Sequence, residues 1–362
     1  MTATTSSSPT GPVSRIDPAT AYRRPPSGPG MLRLDSNEGV LPSRALLGDL
    51  ANADPELLRR YPDVSALETA LAARVGVASE RVLVTAGADE AIDRACRAFL
   101  EPGRSLVLPD PSFDMFDCSA ALAGGELVRV PWWDDAFPRD AFASHVDVRT
   151  AVVAVVSPNN PTGSVATLAD VRRVATAAPN ALVVLDHVYV EYADEDLTPG
   201  VLDLSNVLVL RTLSKAWGLA GCRVGYAVGS PYVIAVLRAA GGPYTVAAPS
   251  VALALAQLER GAGPLSAHVA RVREERRLLG VRLTAAGLAP RPSQANFVLV
   301  ECGARAQAIR TALAGRGVVV RDFPGRPGLE TALRITVPGN PADFERLCDA
   351  LDAAFAAVGL RP

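Results

Sequence analysis

The chain has 362 residues, of which 49% are hydrophobic and 20% are charged, with a formal net charge of −2. This length is too great for one compact core and favours two domains. The near-neutral charge gives no electrostatic reason to expect nucleic acid or an anionic membrane as a partner. The five cysteines are scattered without a C-x-x-C pair, so we expect reduced thiols, no disulfide framework, no metal site and a cytoplasmic protein.

Residues 1–30 are rich in Ser, Thr, Pro and Gly and lack the apolar stretch of a signal peptide, so the sequence predicts a flexible tail. No apolar run reaches about 18 residues, the length that indicates a membrane-spanning helix. The chain has three histidines, far apart, which argues against a histidine metal cluster and a Ser-His-Asp triad. P-loop, H-E-x-x-H and G-x-G-x-x-G motifs are absent.

A short alternating segment follows the tail at residues 32–38, and helical patterns follow at 44–58 and 65–75. From there, apolar runs alternate with helical segments. Continuous Val, Leu and Ala runs are typical of parallel strands buried on both faces. The predicted strands are 82–84, 105–108, 126–130, 151–156, 181–185 and 207–210, and the helices between them are 88–100, 113–123, 167–177 and 215–221.

A second unit begins near Pro243. It consists of a long helix at about 249–288, interrupted near 261–264, three strands and a closing helix. The strands are predicted at 295–301, 318–321 and 332–337, and the helix from residue 342. The sequence therefore predicts an α/β domain at 31–242, with an N-terminal arm and a mostly parallel sheet, and a smaller α+β domain at 243–362.

Lys215 is the only lysine, because 35 of the 36 basic residues are arginine. Arginine stays protonated, whereas a lysine amine can lose its proton and form a Schiff base. Lys215 follows the apolar run 207–210 and precedes Arg223. A reactive amine at the end of a buried strand, with an arginine nearby, indicates an aldehyde cofactor that carries an anion.

Ligands of open α/β sheets lie beyond the carboxyl ends of the strands, so the residues that follow each strand are the candidates. Each has an ordinary explanation when taken alone: a strand–helix turn, a core aromatic, a plain turn, or an aspartate paired with a structural arginine. Their order along the chain is more specific. The candidates are Ala88 and Asp89 for a phosphate, Phe113 for stacking, Asn160, Asp186, Tyr189, Thr212, Ser214, Lys215 and Arg223.

With these residues in this order, the sequence resembles the fold-type I pyridoxal-phosphate enzymes, specifically the class I and II aminotransferases. Within that group it is most similar to the histidinol-phosphate aminotransferases and their aromatic-aminotransferase relatives. The resembling stretches are 60–63 (RYPD), 159–163 (NNPTG), 211–215 (RTLSK), 221–226 (GCRVGY), 294–297 (QANF) and 333–337 (LRITV). The resemblance implies a large domain with a mostly parallel seven-stranded sheet flanked by helices.

The resemblance implies a role for each residue around the cofactor ring. Lys215 holds pyridoxal 5'-phosphate as a Schiff base and then acts as the general base. Asp186 pairs with the pyridinium nitrogen, so the ring can accept electrons. Asn160 and Tyr189 hydrogen-bond the ring oxygen, and Phe113 covers the ring face.

Other implied contacts concern the cofactor phosphate and the substrate. The phosphate is held by the Ala88 and Asp89 backbone with Thr212, Ser214 and Arg223. Tyr61 reaches the phosphate of a partner subunit, which implies a homodimer with shared active sites. Arg334 clamps the substrate carboxylate, and Arg321 and Asn37 also contact substrate; a solvated strand-end arginine is an equal alternative for Arg321.

These residues imply transfer of an amino group between histidinol phosphate or an aromatic amino acid and a 2-oxo acid. Three departures from the family pattern keep an alternative open: Phe113 replaces tyrosine, His187 replaces glutamate, and residues 37–43 lack an Asn-Pro-Tyr-Gly loop. The alternative is a lyase, decarboxylase or cyclase on the same scaffold. A cofactor-binding regulator is a third hypothesis, disfavoured because residues 1–30 contain no DNA-binding unit.

Overall fold

The structure is a computed structural model that describes residues 28–134 and 136–360. The predicted tail lies largely outside the described residues. The strands are β1 Leu32–Leu34, β2 Val82–Thr85, β3 Ser105–Asp110, β4 Glu126–Pro131, β5 Thr150–Val156, β6 Leu182–Asp186, β7 Val207–Thr212, β8 Gly225–Val228, β9 Ala289–Pro290, β10 Phe297–Glu301, β11 Val318–Asp322 and β12 Ala332–Thr336. They form two sheets, one with the strand order β2-β8-β7-β6-β5-β3-β4 and one with the order β1-β11-β12-β10-β9.

The backbone N–H groups at the start of a helix have no partner within the helix, and a capping side chain can accept from them. A capping box of Thr167 and Asp170 precedes the helix Leu168–Ala177, and Asn340 caps the helix Pro341–Ala357. The helices are α1 Ala45–Ala51, α2 Glu56–Arg59, α3 Ser65–Val75, α4 Ala88–Phe99, α5 Asp114–Ala123, α6 Arg139–His145, α7 Leu168–Ala177, α8 Pro231–Ala239, α9 Ala248–Arg260, α10 Ala262–Ala285, α11 Ala306–Gly315 and α12 Pro341–Ala357.

The larger sheet is mostly parallel, as predicted. Strands β4, β3, β5, β6 and β7 run parallel to one another. Their residues alternate between two apolar cores: Val183 and Leu185 pack on one face, and Leu182 and Val184 on the other. Burial on both faces explains why the runs are continuously apolar. The antiparallel strand β8, which the sequence prediction lacks, completes the seven.

The smaller sheet is assembled from both ends of the chain. Strand β1 pairs in parallel with β11, and β12 pairs antiparallel with β10 and β11. The strand of the predicted N-terminal arm therefore belongs to the smaller sheet, although it precedes the larger one in sequence. The division into domains at residue 243 stays a prediction.

Two helix predictions are wrong. Residues 44–58 form two short helices, because the turn at residues 52–55 contains Pro55, which cannot continue α1. The segment 215–221 forms no α-helix: Gly218 has a φ of 73°, and only a single 3₁₀ turn forms, at Ala220–Cys222. The prediction also lacks α6, α8 and α11. None of the helices in the described part of the chain combines the length and apolar character that a membrane crossing requires.

Candidate active site

Lys215 lies in the loop that follows β7, beneath the segment that follows β1. Its Nζ donates a hydrogen bond to the Ser36 carbonyl oxygen at 3.1 Å and lies 5.6 Å from the centre of the Tyr189 ring. The segment approaches so closely that a Cβ on Gly39 would lie 1.8 Å from the Lys215 carbonyl oxygen. The predicted reactive amine therefore faces a backbone segment from the opposite sheet.

A buried hydrogen-bond network fixes Tyr189 beside Lys215. The Asn37 amide donates to the Tyr189 hydroxyl at 2.9 Å. Thr336 donates to the Asn37 side-chain oxygen at 2.8 Å, and the Asn37 backbone N–H donates to the Thr336 hydroxyl at 3.3 Å. Asn37 has a φ of 54°, a left-handed conformation that asparagine tolerates better than most residues. These bonds place Asn37 in the same site as Tyr189.

Asp186 ends β6, between the ends of β5 and β7. Its carboxyl group is almost fully buried, and the Val188 N–H donates to it at 3.3 Å. Burial raises the pKa of this carboxyl to about 7, and the negative charge of Asp89 adds to the effect while Lys215 opposes it. A cationic donor at this place would favour the ionised form, as a pyridinium N–H does.

His187, the next residue, lies on the far side of the strand and has its own partners. The Ser157 carbonyl oxygen accepts a hydrogen bond from Nδ1, and the Leu197 N–H donates to Nε2 at 3.2 Å. These two bonds define a neutral ring, and burial lowers the pKa of His187 to about 4. His187 therefore has a structural role. Because its ring is neutral, the histidine at this position adds no positive charge beside the Asp186 carboxyl.

The candidate phosphate site lies where α4 begins. Gly87 precedes the helix with a φ of 81°, and a Cβ there would lie 2.4 Å from an Arg223 nitrogen. Arg223 also pairs with Asp89 at 3.0 Å. Thr212 accepts a hydrogen bond from the Ser214 N–H at 3.0 Å. Thr212 pairs with Gly225, and a Cβ on Gly225 would lie 2.6 Å from the Ala88 nitrogen, so Thr212 lies beside the start of α4. That these groups bind a phosphate stays a prediction.

On the side of the smaller sheet, Arg334 is held by oxygens from two segments. It donates to the Asn160 side-chain oxygen at 2.5 Å and to the Asp35 carbonyl oxygen at 2.6 Å. Arg321 lies opposite Arg334 across β11 and β12, so the two side chains share one face of the sheet. Arg321 also packs on Phe323, with its guanidinium carbon 5.9 Å from the ring centre.

None of the hydrogen bonds described above connects Tyr61 or Phe113, two of the predicted site residues, to the residues around Lys215. Tyr61 is 80% exposed and stacks on Tyr244 with 4.6 Å between the ring centres. Phe113 is half-buried at the start of α5 and packs against the core beneath the sheet. Their predicted roles, contact with a partner's phosphate and stacking on the cofactor, stay predictions.

Sequence reasoning missed several residues that shape the site. Thr336 and Asn296 hold the Asn37 segment, and Asn296 donates to the Asn37 carbonyl oxygen at 3.2 Å. Asn159 is fully buried and donates to the Pro111 carbonyl oxygen at 2.9 Å and the Thr162 hydroxyl at 3.0 Å. Asn159 and Asn296 both lie in stretches that carry the family resemblance, which was the available signal.

Comparisons with known proteins agree with this geometry. The family model described as aminotransferase class I and II matches residues 30–351. The chain is a member of the class I and II aminotransferases. It is 37% identical over 335 residues to a histidinol-phosphate aminotransferase of Xylella fastidiosa (strain 9a5c), with 89% of each chain covered. It is 36% identical over 323 residues to an aromatic amino acid aminotransferase of Mycobacteroides abscessus, covering 86% of this chain and 91% of the relative.

A solved structure supports the same assignment. The histidinol-phosphate aminotransferase of Sinorhizobium meliloti in complex with pyridoxal-5'-phosphate superposes with a TM-score of 0.82 at 28% identity, covering 90% of this chain and 91% of that one. The fold is therefore fold type I, and the chain is a pyridoxal-phosphate-dependent aminotransferase, as predicted. The alternative of a lyase, decarboxylase or cyclase is not favoured by these relatives.

The residues of this aminotransferase fit the cofactor. The Ser214 hydroxyl is buried and has no hydrogen-bond partner among the described residues, at the end of the site where Arg223 lies. A phosphate oxygen would accept from Ser214, and the pyridinium would donate to Asp186. No group of three or more His, Cys, Asp or Glu side chains in the described residues is arranged to hold a metal ion.

Proposed function

We propose that this aminotransferase moves the amino group of histidinol phosphate, or of an aromatic amino acid, to a 2-oxo acid, with Lys215 as the reacting amine. The proposal rests on one observation: two cationic side chains, Lys215 and Arg334, donate to adjacent carbonyl oxygens of one backbone segment. The Asp35 carbonyl oxygen accepts from Arg334, and the adjacent Ser36 carbonyl oxygen accepts from Lys215. A substrate whose anion binds Arg334 then has its amine near Lys215.

When bound, pyridoxal phosphate supplies an aldehyde that condenses with amines and a ring that accepts electrons. The protein's own residues bind and orient the cofactor and the substrate. Lys215 Nζ carries the proton to and from the substrate carbon, and the bond to Ser36 holds that amine in place. Asp186 keeps the ring nitrogen protonated because its buried carboxylate favours a cationic partner. Ser214, Thr212, Arg223 and the α4 backbone bind the phosphate.

The smaller sheet binds the substrate in this proposal. Arg334 and Arg321 lie on one face of the sheet, and two like charges so placed favour an anion between them. A phosphate group, with its double charge and three oxygens, fits two guanidinium groups better than a carboxylate does. This arrangement supports histidinol phosphate as the first substrate to test.

We also propose a cytoplasmic homodimer. Leu41, Leu58 and Tyr61 are 87%, 77% and 80% exposed, and a second copy of the chain would cover such side chains. Leu41 follows the Gly39 segment that packs on Lys215, and in a dimer Tyr61 would reach the partner's phosphate site.

The test is a panel of amino donors, read from the visible absorbance of the cofactor-loaded protein. Histidinol phosphate, L-phenylalanine and L-aspartate are compared, each followed by 2-oxoglutarate. We expect the first or the second to shift the absorbance and the oxo acid to restore it. If no donor changes the spectrum of the loaded protein, the proposed transamination is wrong.

Two variants sharpen this test. Lys215→Arg keeps the charge but cannot condense with an aldehyde, so borohydride should attach no cofactor to the protein, and turnover should fall by at least about 10⁴-fold. Arg321→Gln should raise KM for histidinol phosphate about 100-fold and leave the aromatic donor nearly unchanged. Equal effects on the two donors would exclude a phosphate contact for Arg321.

A further inference from the structure

The loop between β11 and β12, residues 323–331, is anchored at both ends by a small apolar cluster. Phe323 and Leu329 are buried, and they pack with Leu299 and Ala332. Because the loop is fixed at its two ends, its middle is held at a defined place on the protein. Arg326 lies there and reaches across to the larger sheet.

Arg326 contacts the residues on both sides of Phe113. Its guanidinium donates to the Ser112 carbonyl oxygen at 2.6 Å and forms an ion pair with Asp114. Ser112 and Asp114 are the residues directly before and after Phe113, whose backbone begins α5. The guanidinium therefore contacts the backbone before Phe113 and the carboxylate of the residue after it, on the two sides of the aromatic residue that is predicted to cover the cofactor.

The ion pair is partly buried: the Arg326 side chain is 19% exposed, and the Asp114 side chain is 55% exposed. A charge-assisted hydrogen bond is stronger where water is partly excluded. Arginine suits the place because its planar fork can serve a carbonyl and a carboxylate together, which a lysine amine does poorly.

A second contact holds the same loop against the larger sheet. Gly328 lies against Trp133, which follows β4: a Cβ on Gly328 would be 2.8 Å from the Trp133 ring. Arg291 donates to the Trp133 carbonyl oxygen and lies over its ring, 5.8 Å from the centre. Arg326 is thus part of a fixed contact between the two sheets and does not extend freely into solvent.

We propose that Arg326 is a positioning residue for the reaction: it holds residues 112–114 so that the Phe113 ring lies against the cofactor. The proposal rests on the role proposed for Phe113. The loop that carries Arg326 joins β11 and β12, the strands of Arg321 and Arg334. Through Arg326, the sheet that binds the substrate anion is connected directly to the aromatic residue that covers the ring.

The test compares Arg326→Ala with Arg282→Ala in the cofactor-loaded enzyme. Arg282 is a matched control because it forms a similar ion pair, with Asp352, between α10 and α12. The main readout is the visible circular dichroism per bound cofactor, which depends on how the ring is held. The dissociation constant of the cofactor, from quenching of tryptophan fluorescence in the apoprotein, and kcat and KM are measured alongside.

We expect Arg326→Ala to lower the visible circular dichroism and to reduce kcat by about 10-fold, since small displacements of a reacting group are costly. KM should change much less, and Arg282→Ala should change none of these. Asp114→Asn, which removes the negative charge of this ion pair at a half-exposed side chain, should act in the same direction by a smaller factor. It replaces Arg326→Ala if that variant does not fold. An unchanged circular dichroism in Arg326→Ala, or in Asp114→Asn if that stands in, overturns the proposal.

A double variant separates this proposal from the one on which it rests. Phe113→Leu keeps an apolar side chain but removes the ring. If Arg326 acts through Phe113, adding Arg326→Ala to Phe113→Leu should have little further effect on the circular dichroism or kcat. Additive losses would show that Arg326 acts by another route. A Phe113→Leu variant identical to wild type would overturn the role of Phe113 and, with it, that of Arg326, while leaving transamination itself to the donor panel.

Discussion

The two sides of the site are built differently. On the cofactor side, polar groups are buried with few protein contacts: the Asp186 carboxyl has a raised pKa, and the Ser214 hydroxyl has no partner among the described residues. On the side of the smaller sheet, Asn37 and Thr336 are already bonded to each other, and Asn37 also donates to Tyr189. The first arrangement is completed by a ligand, whereas the second is formed without one.

The two arrangements differ in when the free-energy cost of placing polar groups is met. Burying a polar group without a partner costs stability, and a ligand that supplies the partner recovers it on binding. A preformed network costs nothing at the moment of binding and fixes geometry in advance. Substitutions on the two sides should therefore have opposite effects on the stability of the protein without cofactor.

Among the substitutions that compare the two sides of the site, Asp186→Asn has the largest expected effect. An amide cannot keep the ring nitrogen protonated, so kcat should fall about 10³-fold. The apoprotein should become more stable. The pKa of Asp186 is raised from 3.8 to about 7, so ionisation of the folded protein costs stability as pH rises through this range, and above pH 7 the full cost applies.

Removing that carboxyl should stabilise the apoprotein by about 4 kcal/mol at pH 8 and by much less at pH 4. Denaturant unfolding of apo wild type and apo Asp186→Asn at the two pH values measures this directly. If the substitution destabilises the apoprotein at pH 8, the Asp186 carboxylate does not cost stability, and the proposed difference between the two sides is wrong.

An intermediate effect is expected for Thr336→Val. Valine has the same shape but neither accepts from the Asn37 N–H nor donates to its side-chain oxygen. Unfolding should therefore cost about 2 kcal/mol less, even without cofactor, because buried polar groups lose their partners. We also expect a fall of about tenfold in kcat/KM, and Thr336→Ser, which keeps the hydroxyl, should show neither change. Stability equal to wild type would show that the substrate side is not preformed.

The smallest effect on activity is expected for His187→Asn. His187 is bonded through both nitrogens and lies away from the site, so kcat at pH 8 should stay within about twofold. Its pKa is lowered from 6.5 to about 4, so the wild type loses stability as pH falls through this range, by about 3 kcal/mol.

The asparagine variant cannot take up that proton, so its unfolding free energy should depend less on pH between 6.5 and 4. Parallel unfolding curves at several pH values provide the measurement. Slopes that match those of wild type would show that another group titrates in this range.

The sequence predicts the larger sheet well for a physical reason. Strands such as β5 and β6 are buried on both faces, so nearly every residue is apolar and the run is unmistakable. Strand β8 has four residues, one of them glycine, and carries too little of this pattern to be recognised. The two helix predictions failed because Pro55 and Gly218 interrupt segments whose apolar spacing alone favours a helix.

The site was predictable only in part. Residues at the ends of strands, such as Asp186 and Asn160, follow from the rule that ligands bind there. The Asn37–Thr336 pair could not be predicted, because its members are 299 residues apart and belong to a sheet assembled from both ends of the chain. The contacts of Arg334 and Lys215 with backbone carbonyls carry no trace in the sequence, since every residue has a carbonyl.

Those two carbonyls have a consequence for selectivity. The oxygens of Asp35 and Ser36 belong to successive peptide units, each planar and rigid, that meet at the Ser36 Cα. Two dihedral angles of one residue therefore set the spacing of the two oxygens that bind the arginine and the amine. If Arg334 and Lys215 serve the substrate as proposed, an amine one carbon further from the substrate's anion would fit this spacing less well.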